Sequence, residues 1–412
     1  MAAALCIVAA LYTFGAYRQL PSTPTDYRDF KAYYLPGLQL LRGMNPYLAT
    51  YPAGTPIVAD TPAWLMCFQP LAALTPYTAY WTWFWINVSA LMLSIWLLIR
   101  ESDIRGPEAV SVAALLWMYP PLATNFWFGQ SEVFLLLPLV LMLVALRRNH
   151  DRLAGLSLAA ATLLRAYPLG LVGYLLVLRR WKALGWTGVG LLIGGVVTIL
   201  FVGWEAVAAY STLIGVSRGS GLFGLSTTLN IGLGMVKHPA NLNLGWFVKW
   251  LYDRKPSQPL PVVVTILAAL AEISAVIVCF WATRNIRADD PDWRGFGLWI
   301  VTISLISPLS WYFFLCCFLP MLAGMAAAWR RQELSRPVLY AITASYLVTT
   351  LFPSYGHPIF PLWHAAMLAA ENSHHLHIVH VFTETEFTSL ALAWFAAFWF
   401  VTTARENTGS VS

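Results

Sequence analysis

Two aspartates carry the first chemical signal in this sequence. Asp26 and Asp29 stand three residues apart in TDYRDFKAYYLPGLQLLRGMNPY, shortly after an apolar stretch at residues 2–17. On a helix that spacing puts both carboxylates on one face, one turn apart. A carboxylate beside a bilayer, partly desolvated and flanked by Arg28 and Lys31, suits a general base, and the alternative is that one of the pair caps a helix. Arg165 follows the apolar run LAGLSLAAATLL. A guanidinium there is costly unless it is paired, lines a wet cavity or snorkels to the interface. Glu272, near the middle of the apolar segment 262–282, poses a similar choice between a functional acid and a carboxyl hydrogen-bonded between helices. Six of the eight histidines (His357, His364, His374, His375, His377 and His380) fall in one segment. Although HHLHIVH contains a pair three apart, no cysteine joins it and no acid stands at a recognised spacing, so no metal site is expected. The acidic run from Asp289 to Asp292 reads as a solvated loop.

The elements that must position these groups are set by composition. Of 412 residues, 58% are hydrophobic and only 11% charged, with a mean hydropathy of +0.63. An ordinary soluble domain carries about a quarter charged residues, so a soluble enzyme, a nucleic-acid module and a disordered scaffold are all excluded. About twelve apolar segments punctuate the chain, several shorter than the roughly 17 residues that a perpendicular span needs. Segments 108–121 with 131–146, and 152–164 with 168–178, read as short hairpins. Irregular backbone at membrane depth survives only against protein or a water-filled cavity, so these hairpins point to a cavity. Residues 2–17 read as a retained first span, with no removable signal segment. No repeat of 20 to 50 residues is visible. The cysteines Cys6, Cys67, Cys279, Cys316 and Cys317 all lie in apolar runs and read as buried small hydrophobes.

The net charge of +6 is one-sided when the segments are threaded with the N-terminus inside. Alternate loops then hold fifteen Lys and Arg against nine Asp and Glu, and the remaining residues balance at ten of each. Short basic loops on one face are the positive-inside signature. The opposite, outer face receives three long polar segments, 18–61, 204–261 and 353–386. The first of these is expected to hold an interfacial helix from Phe30, on the spacing of Phe30, Tyr33, Tyr34, Leu38 and Leu41. Function is expected on these outer segments, in a single transmembrane catalytic domain over residues 1–412.

Five stretches in order resemble glycosyltransferase family eighty-seven, the polyprenyl-phosphate-dependent mannosyltransferases. They are DFKAYYLPGLQLLRGMNPY (Asp29 to Tyr47), Gly129-Gln130 in NFWFGQSEVFLLLPL, LAGLSLAAATLLRAYPLGL (Leu153 to Leu171), Ser307-Pro308-Leu309-Ser310-Trp311, and Leu319-Pro320. The resemblance spans about residues 26–330. It implies an all-α polytopic membrane protein of the glycosyltransferase C fold, with many transmembrane helices, about 12 by the count of apolar segments, and a catalytic carboxylate on the first outer loop. It further implies an inverting enzyme in the cell membrane, moving mannose from a polyprenyl-phosphate sugar to a lipid or glycan hydroxyl on the outer face. No cofactor, nucleotide or nucleic acid is called for. Asp29 aligns with the family's opening aspartate, with Asp26 the runner-up. Gln130, Ser310 and Trp311 become substrate-binding candidates.

Transfer from a phosphate donor leaves an anionic phosphate, so a cation must offset developing charge. Arg165 is the first candidate, followed by Arg218, Lys237 and His238. Tyr312-Phe313 stand where many members have a pair of histidines, and His357 or His364 is expected to supply that contact. TPAW at Thr61 to Trp64 departs from the tyrosine-proline-proline stretch of relatives, and the acceptor or sugar is therefore open. The competing reading is a twelve-span transporter or lipid flippase, which should scatter acids and bases through its spans. Glu272 is the one clear example here.

Overall fold

The computed structural model describes residues 2–18, 20, 28–49, 51, 60–215, 244–245, 247–248, 262–286, 293–307, 310–351 and 378–408. Helices account for nearly all of them, and no strand occurs among the described residues. In chain order the α-helices are α1 (Ala2–Tyr17), α2 (Lys31–Leu41), α3 (Pro62–Ala72), α4 (Pro76–Glu101), α5 (Gly106–Trp117), α6 (Pro120–Phe128), α7 (Glu132–Arg147) and α8 (Asp151–Leu164). They continue as α9 (Val172–Val177), α10 (Trp181–Val202), α11 (Trp204–Gly215), α12 (Val262–Thr283), α13 (Trp293–Ile306), α14 (Leu319–Arg330), α15 (Arg336–Leu351) and α16 (Ile378–Thr408).

Four segments among the described residues are long and apolar enough to cross a membrane: Pro76–Glu101, Trp181–Val202, Ile266–Thr283 and Tyr312–Arg330. The expectation of about twelve spans therefore meets a mixture of long and short helices. Segment 108–121 is broken into α5 and α6, and Tyr312–Phe318 forms a buried 3-10 stretch before α14. A helix that the hydropathy segments omitted, α3, follows the first polar loop. Its N-cap is Thr61, whose hydroxyl accepts the Trp64 N–H at 3.1 Å, and Pro62 occupies the first helical position, where its missing N–H costs nothing. Cys279, Cys316 and Cys317 are buried as expected, but Cys6 and Cys67 are exposed.

Helix α10 exposes Leu192, Ile193, Leu200 and Phe201. An apolar face of this size is untenable in water and natural against lipid. Its other face meets α8 closely, because a Cβ on Gly155 would lie 2.3 Å from the Ala183 carbonyl oxygen. Small residues let helix backbones approach where no hydrophobic drive separates lipid from protein.

A large buried cluster joins α4, α7, α8, α13, the 3-10 stretch and α14. A second, aromatic cluster of Phe30, Tyr33, Tyr34, Trp64, Phe68, Tyr80 and Trp83 clamps α2 between α3 and α4. The helix expected on the outer surface is thus embedded in protein on one side, with Tyr34 donating to the Leu74 carbonyl at 2.8 Å. The aromatic residues that suggested an interfacial helix are spent on packing against α3.

Charged residues gather at one end of the helices. Arg147 and Arg148 meet Glu101, Arg180 meets Asp151, Arg294 meets Glu333, and Arg330 meets Glu108. The candidate site residues Gln130 and Arg165 lie at the other end, beside the first turn of α7 and the last turn of α8.

Candidate active site

Asp29 sits half-buried in a 3-10 turn, Arg28–Phe30, that leads into α2. The turn is pinned by Phe30, which is almost fully buried and makes edge contacts with Phe68 and Tyr80 at 5.8 and 5.4 Å. Such aromatic pairs contribute about 0.5–1.5 kcal/mol beyond their buried area.

Against this turn stands the end of α6. The Gly129 N–H bonds the Phe126 carbonyl at 3.2 Å and the Gln130 N–H bonds the Asn125 carbonyl at 2.9 Å, the paired bonds of a Schellman cap. Gly129 has φ +71°, and a Cβ there would lie 3.0 Å from the Phe30 Cβ. Glycine is therefore required twice, for the left-handed backbone and for the close approach. Its carbonyl accepts the Trp83 indole N–H at 3.0 Å. The turn delivers Gln130 to Asp29, where Nε2 donates to Oδ2 at 2.6 Å, and it places Ser131 and Glu132 at the head of α7.

Helix α8 is 14 residues long, about 21 Å at 1.5 Å per residue. Started at one surface, it ends well short of the far side of a core about 30 Å thick. Its chain turns extended at Arg165, with φ −141° and ψ 134°, ahead of the 3-10 turn Tyr167–Leu171 that contains Pro168. The Arg165 side chain thereby enters the cluster. Nη1 lies 2.5 Å from Asp60 Oδ1, and Nη2 donates to the Tyr33 hydroxyl at 2.9 Å, to Ser131 Oγ at 3.0 Å and to Gln130 Oε1 at 3.3 Å. Glu132 Oε1 is 3.4 Å from Nη2. Tyr33 donates in turn to Gln130 Oε1.

Asp60 is held from both sides: the Tyr47 hydroxyl donates to its carbonyl at 2.8 Å, and the neighbouring Thr61 hydroxyl donates to the Leu163 and Leu164 carbonyls of α8. Burial pushes the Asp60 carboxyl up, and the Arg165 guanidinium offsets only part of that rise. Burial likewise pushes the Tyr33 hydroxyl up, with Arg165 opposing, so that hydroxyl keeps its proton to donate.

The fold brings Asp29, Gln130 and Arg165, each singled out from the sequence on separate grounds, into contact with one another, and adds Tyr33, Asp60, Ser131 and Glu132. Those four were missed. Glu132 carried a signal, an acid heading the apolar run of α7. Asp60 carried a weaker one, as a lone acid just before a helix start. Ser310 is fully buried, and Trp311 stacks with Phe313, whose ring meets Phe128 beside Gly129 at 6.2 Å. The Ser-Trp motif therefore reaches the Gly129 turn through aromatic rings. Tyr312, one of the two residues at the expected histidine pair, donates to the Thr349 carbonyl at 3.2 Å. Asp26, Arg218, Lys237, His238, His357 and His364 lie outside the described residues, as do Pro308 and Leu309. Among the described residues no group of three or more His, Cys, Asp and Glu is arranged to hold a metal.

The family model of glycosyltransferase family 87 matches residues 60–308, more than half of the chain. The match takes in Asp60, Gln130, Ser131, Glu132 and Arg165 and begins downstream of Asp29–Tyr47. No curated protein matches the chain significantly. An apolar helical chain whose carboxylates and amide converge at the ends of short helices, with this match, is a membrane glycosyltransferase. It belongs to glycosyltransferase family 87. Membership in an enzyme family does not favour the transporter or flippase reading.

Proposed function

We propose that this enzyme is an inverting hexosyltransferase that moves mannose from a polyprenyl-phosphate sugar to a hydroxyl of a lipid or glycan at the outer face of the cell membrane. The observation that carries the reading is the Asp29 carboxylate, half-buried and hydrogen-bonded to Gln130 at 2.6 Å in a chain of this family. Asp29 takes the proton of the acceptor hydroxyl as that oxygen bonds to C1 of the sugar, and the C1–O bond to the phosphate breaks with its electron pair leaving on the phosphate. The leaving group is already anionic and needs no acid.

The glycosyltransferase C fold and a lateral entry for the lipid donor accord with helices such as the 14-residue α8, too short to cross a core about 30 Å thick. Arg165 faces two carboxylates, Asp60 and Glu132, and so has a task inside the cluster before it meets any phosphate. The cation that offsets the phosphate is then to be sought first among Arg218, Lys237, His238, His357 and His364. Ser310, buried, and Trp311 are the substrate-binding candidates on the aromatic side of the Gly129 turn, with Asp26 as the reserve base.

The test is purification in detergent, followed by incubation with synthetic polyprenyl-phosphate mannose or glucose and a panel of lipid acceptors. Mannosyl transfer that disappears in Asp29→Asn supports the reading. Transfer from a nucleotide sugar alone, or full activity in Asp29→Asn, overturns it.

A further inference from the structure

We propose that Gln130 is a positioning residue for Asp29, its amide locked in one orientation by Arg165 and Tyr33. The proposal rests on the reading of Asp29 as the base. A glutamine amide has two orientations of nearly equal shape, one presenting oxygen and the other nitrogen. Here its neighbours dictate the choice. Arg165 Nη2 lies 3.3 Å from Oε1, and a guanidinium has donors only, so the atom facing it must be oxygen. Tyr33 agrees: its hydroxyl accepts from Arg165 at 2.9 Å and spends its single proton on the same Oε1.

With the oxygen held by two donors, the amide nitrogen is turned to Asp29 and donates to Oδ2 at 2.6 Å. Arg165 is itself held by Asp60 at 2.5 Å, by Ser131 at 3.0 Å and by Glu132 at 3.4 Å. A directed chain of contacts therefore runs from the buried Asp60 through Arg165 and Gln130 to Asp29.

A hydrogen bond donated to a carboxylate favours its charged form. Gln130 thus favours the charged form of Asp29 and fixes the direction of Oδ2. The charged and titratable groups described around Asp29 are Lys31 on its own segment, Tyr33 on α2, Tyr80 of α4 against Phe30, and, across Gln130, Arg165 with Asp60 and Glu132. Of these, only the chain through Gln130 makes a side-chain amide the last link to the base.

The experiment reads the ionisation of Asp29 without needing turnover. Infrared difference spectra between otherwise identical proteins with Asp29 and with Asp29→Asn isolate one carboxyl band, which is titrated in detergent. In Gln130→Met the midpoint should rise by about one pH unit, a tenfold change in the acid constant. Gln130→Glu keeps the length and adds a like charge, so it should raise the midpoint further. Tyr33→Phe leaves Arg165 on Oε1 and should shift it less. An unchanged midpoint in Gln130→Met, or in Gln130→Glu should the Met variant not fold, overturns the proposal. Turnover on the same preparations separates the two ideas. Wild-type activity in Asp29→Asn removes the reading of Asp29 as base, whereas an inactive Asp29→Asn with an immobile midpoint removes only the positioning role.

Discussion

Replacing Arg165 with methionine removes the cation that pairs with two buried acids, Asp60 and Glu132, while keeping most of the side-chain volume. The Arg165 side chain is 18% exposed, Asp60 5% and Glu132 0%, so solvent screens the pair little. Two unit charges 4 Å apart at an effective dielectric of about 20 interact by about 4 kcal/mol, and breaking a buried pair by removing one partner typically costs about 3–5 kcal/mol. Arg165→Met should fall in that range at pH 8. The loss should shrink toward pH 5. Burial already pushes Asp60 up, and without Arg165 it rises further. A carboxyl whose folded value lies above its unfolded value holds a proton that the unfolded chain releases, so stability falls as pH rises through that window.

Equilibrium unfolding in mixed detergent micelles at the two pH values measures both effects. Asp60→Asn in the Arg165→Met background removes one of the two stranded acids, leaving Glu132, and should recover about 2 kcal/mol, a coupling that a double-mutant cycle reports. A loss under about 1 kcal/mol for Arg165→Met, or no recovery in the double variant, would refute the description of this group as a buried ion pair.

Gly129→Ala should cost about 1–2 kcal/mol for a left-handed alanine, and more where its Cβ presses on Phe30 at 3.0 Å; turnover should drop beyond what the unfolding curve explains, because Gln130 is displaced with it. Gly155→Ala puts a Cβ 2.3 Å from the Ala183 carbonyl oxygen and should destabilise by about 1–3 kcal/mol with little change in kcat for the fraction that folds, as unfolding and activity measured side by side will show. Asp29→Asn should abolish transfer in a folded protein and Asp26→Asn should weaken it less; the reverse order would move the base to Asp26. Cysteines introduced near residues 55, 215 and 375 should react with an impermeant reagent from outside intact cells, and reaction only after permeabilisation would put the proposed site on the wrong face.

Hydropathy pointed to a helical membrane chain, because a backbone in an apolar medium must be satisfied within helices or a closed barrel, and continuous apolar runs in a chain only 11% charged fit helices rather than alternating barrel strands. The cost of Arg165 was legible for the same local reason, since charge in lipid is expensive wherever it stands. The Gly129-Gln130 pair was visible as a motif, but its meaning was not. Only the packed helices show that Gly129 closes a helix against Phe30 and that Gln130 spans to Asp29, 101 residues earlier. Asp60 had no motif of its own and became part of the cluster only when Thr61 tied its loop to the end of α8. The partners of Arg165 were likewise undetermined by any local pattern, with Tyr33 132 residues away. Periodicity says which face of a helix is apolar, and says nothing of which other helix will meet it. That choice is made by close packing: small residues such as Gly155 set α8 against α10, and aromatic residues such as Phe30 and Trp64 set α2 against α3. The polar groups at the helix ends are carried into contact as a consequence.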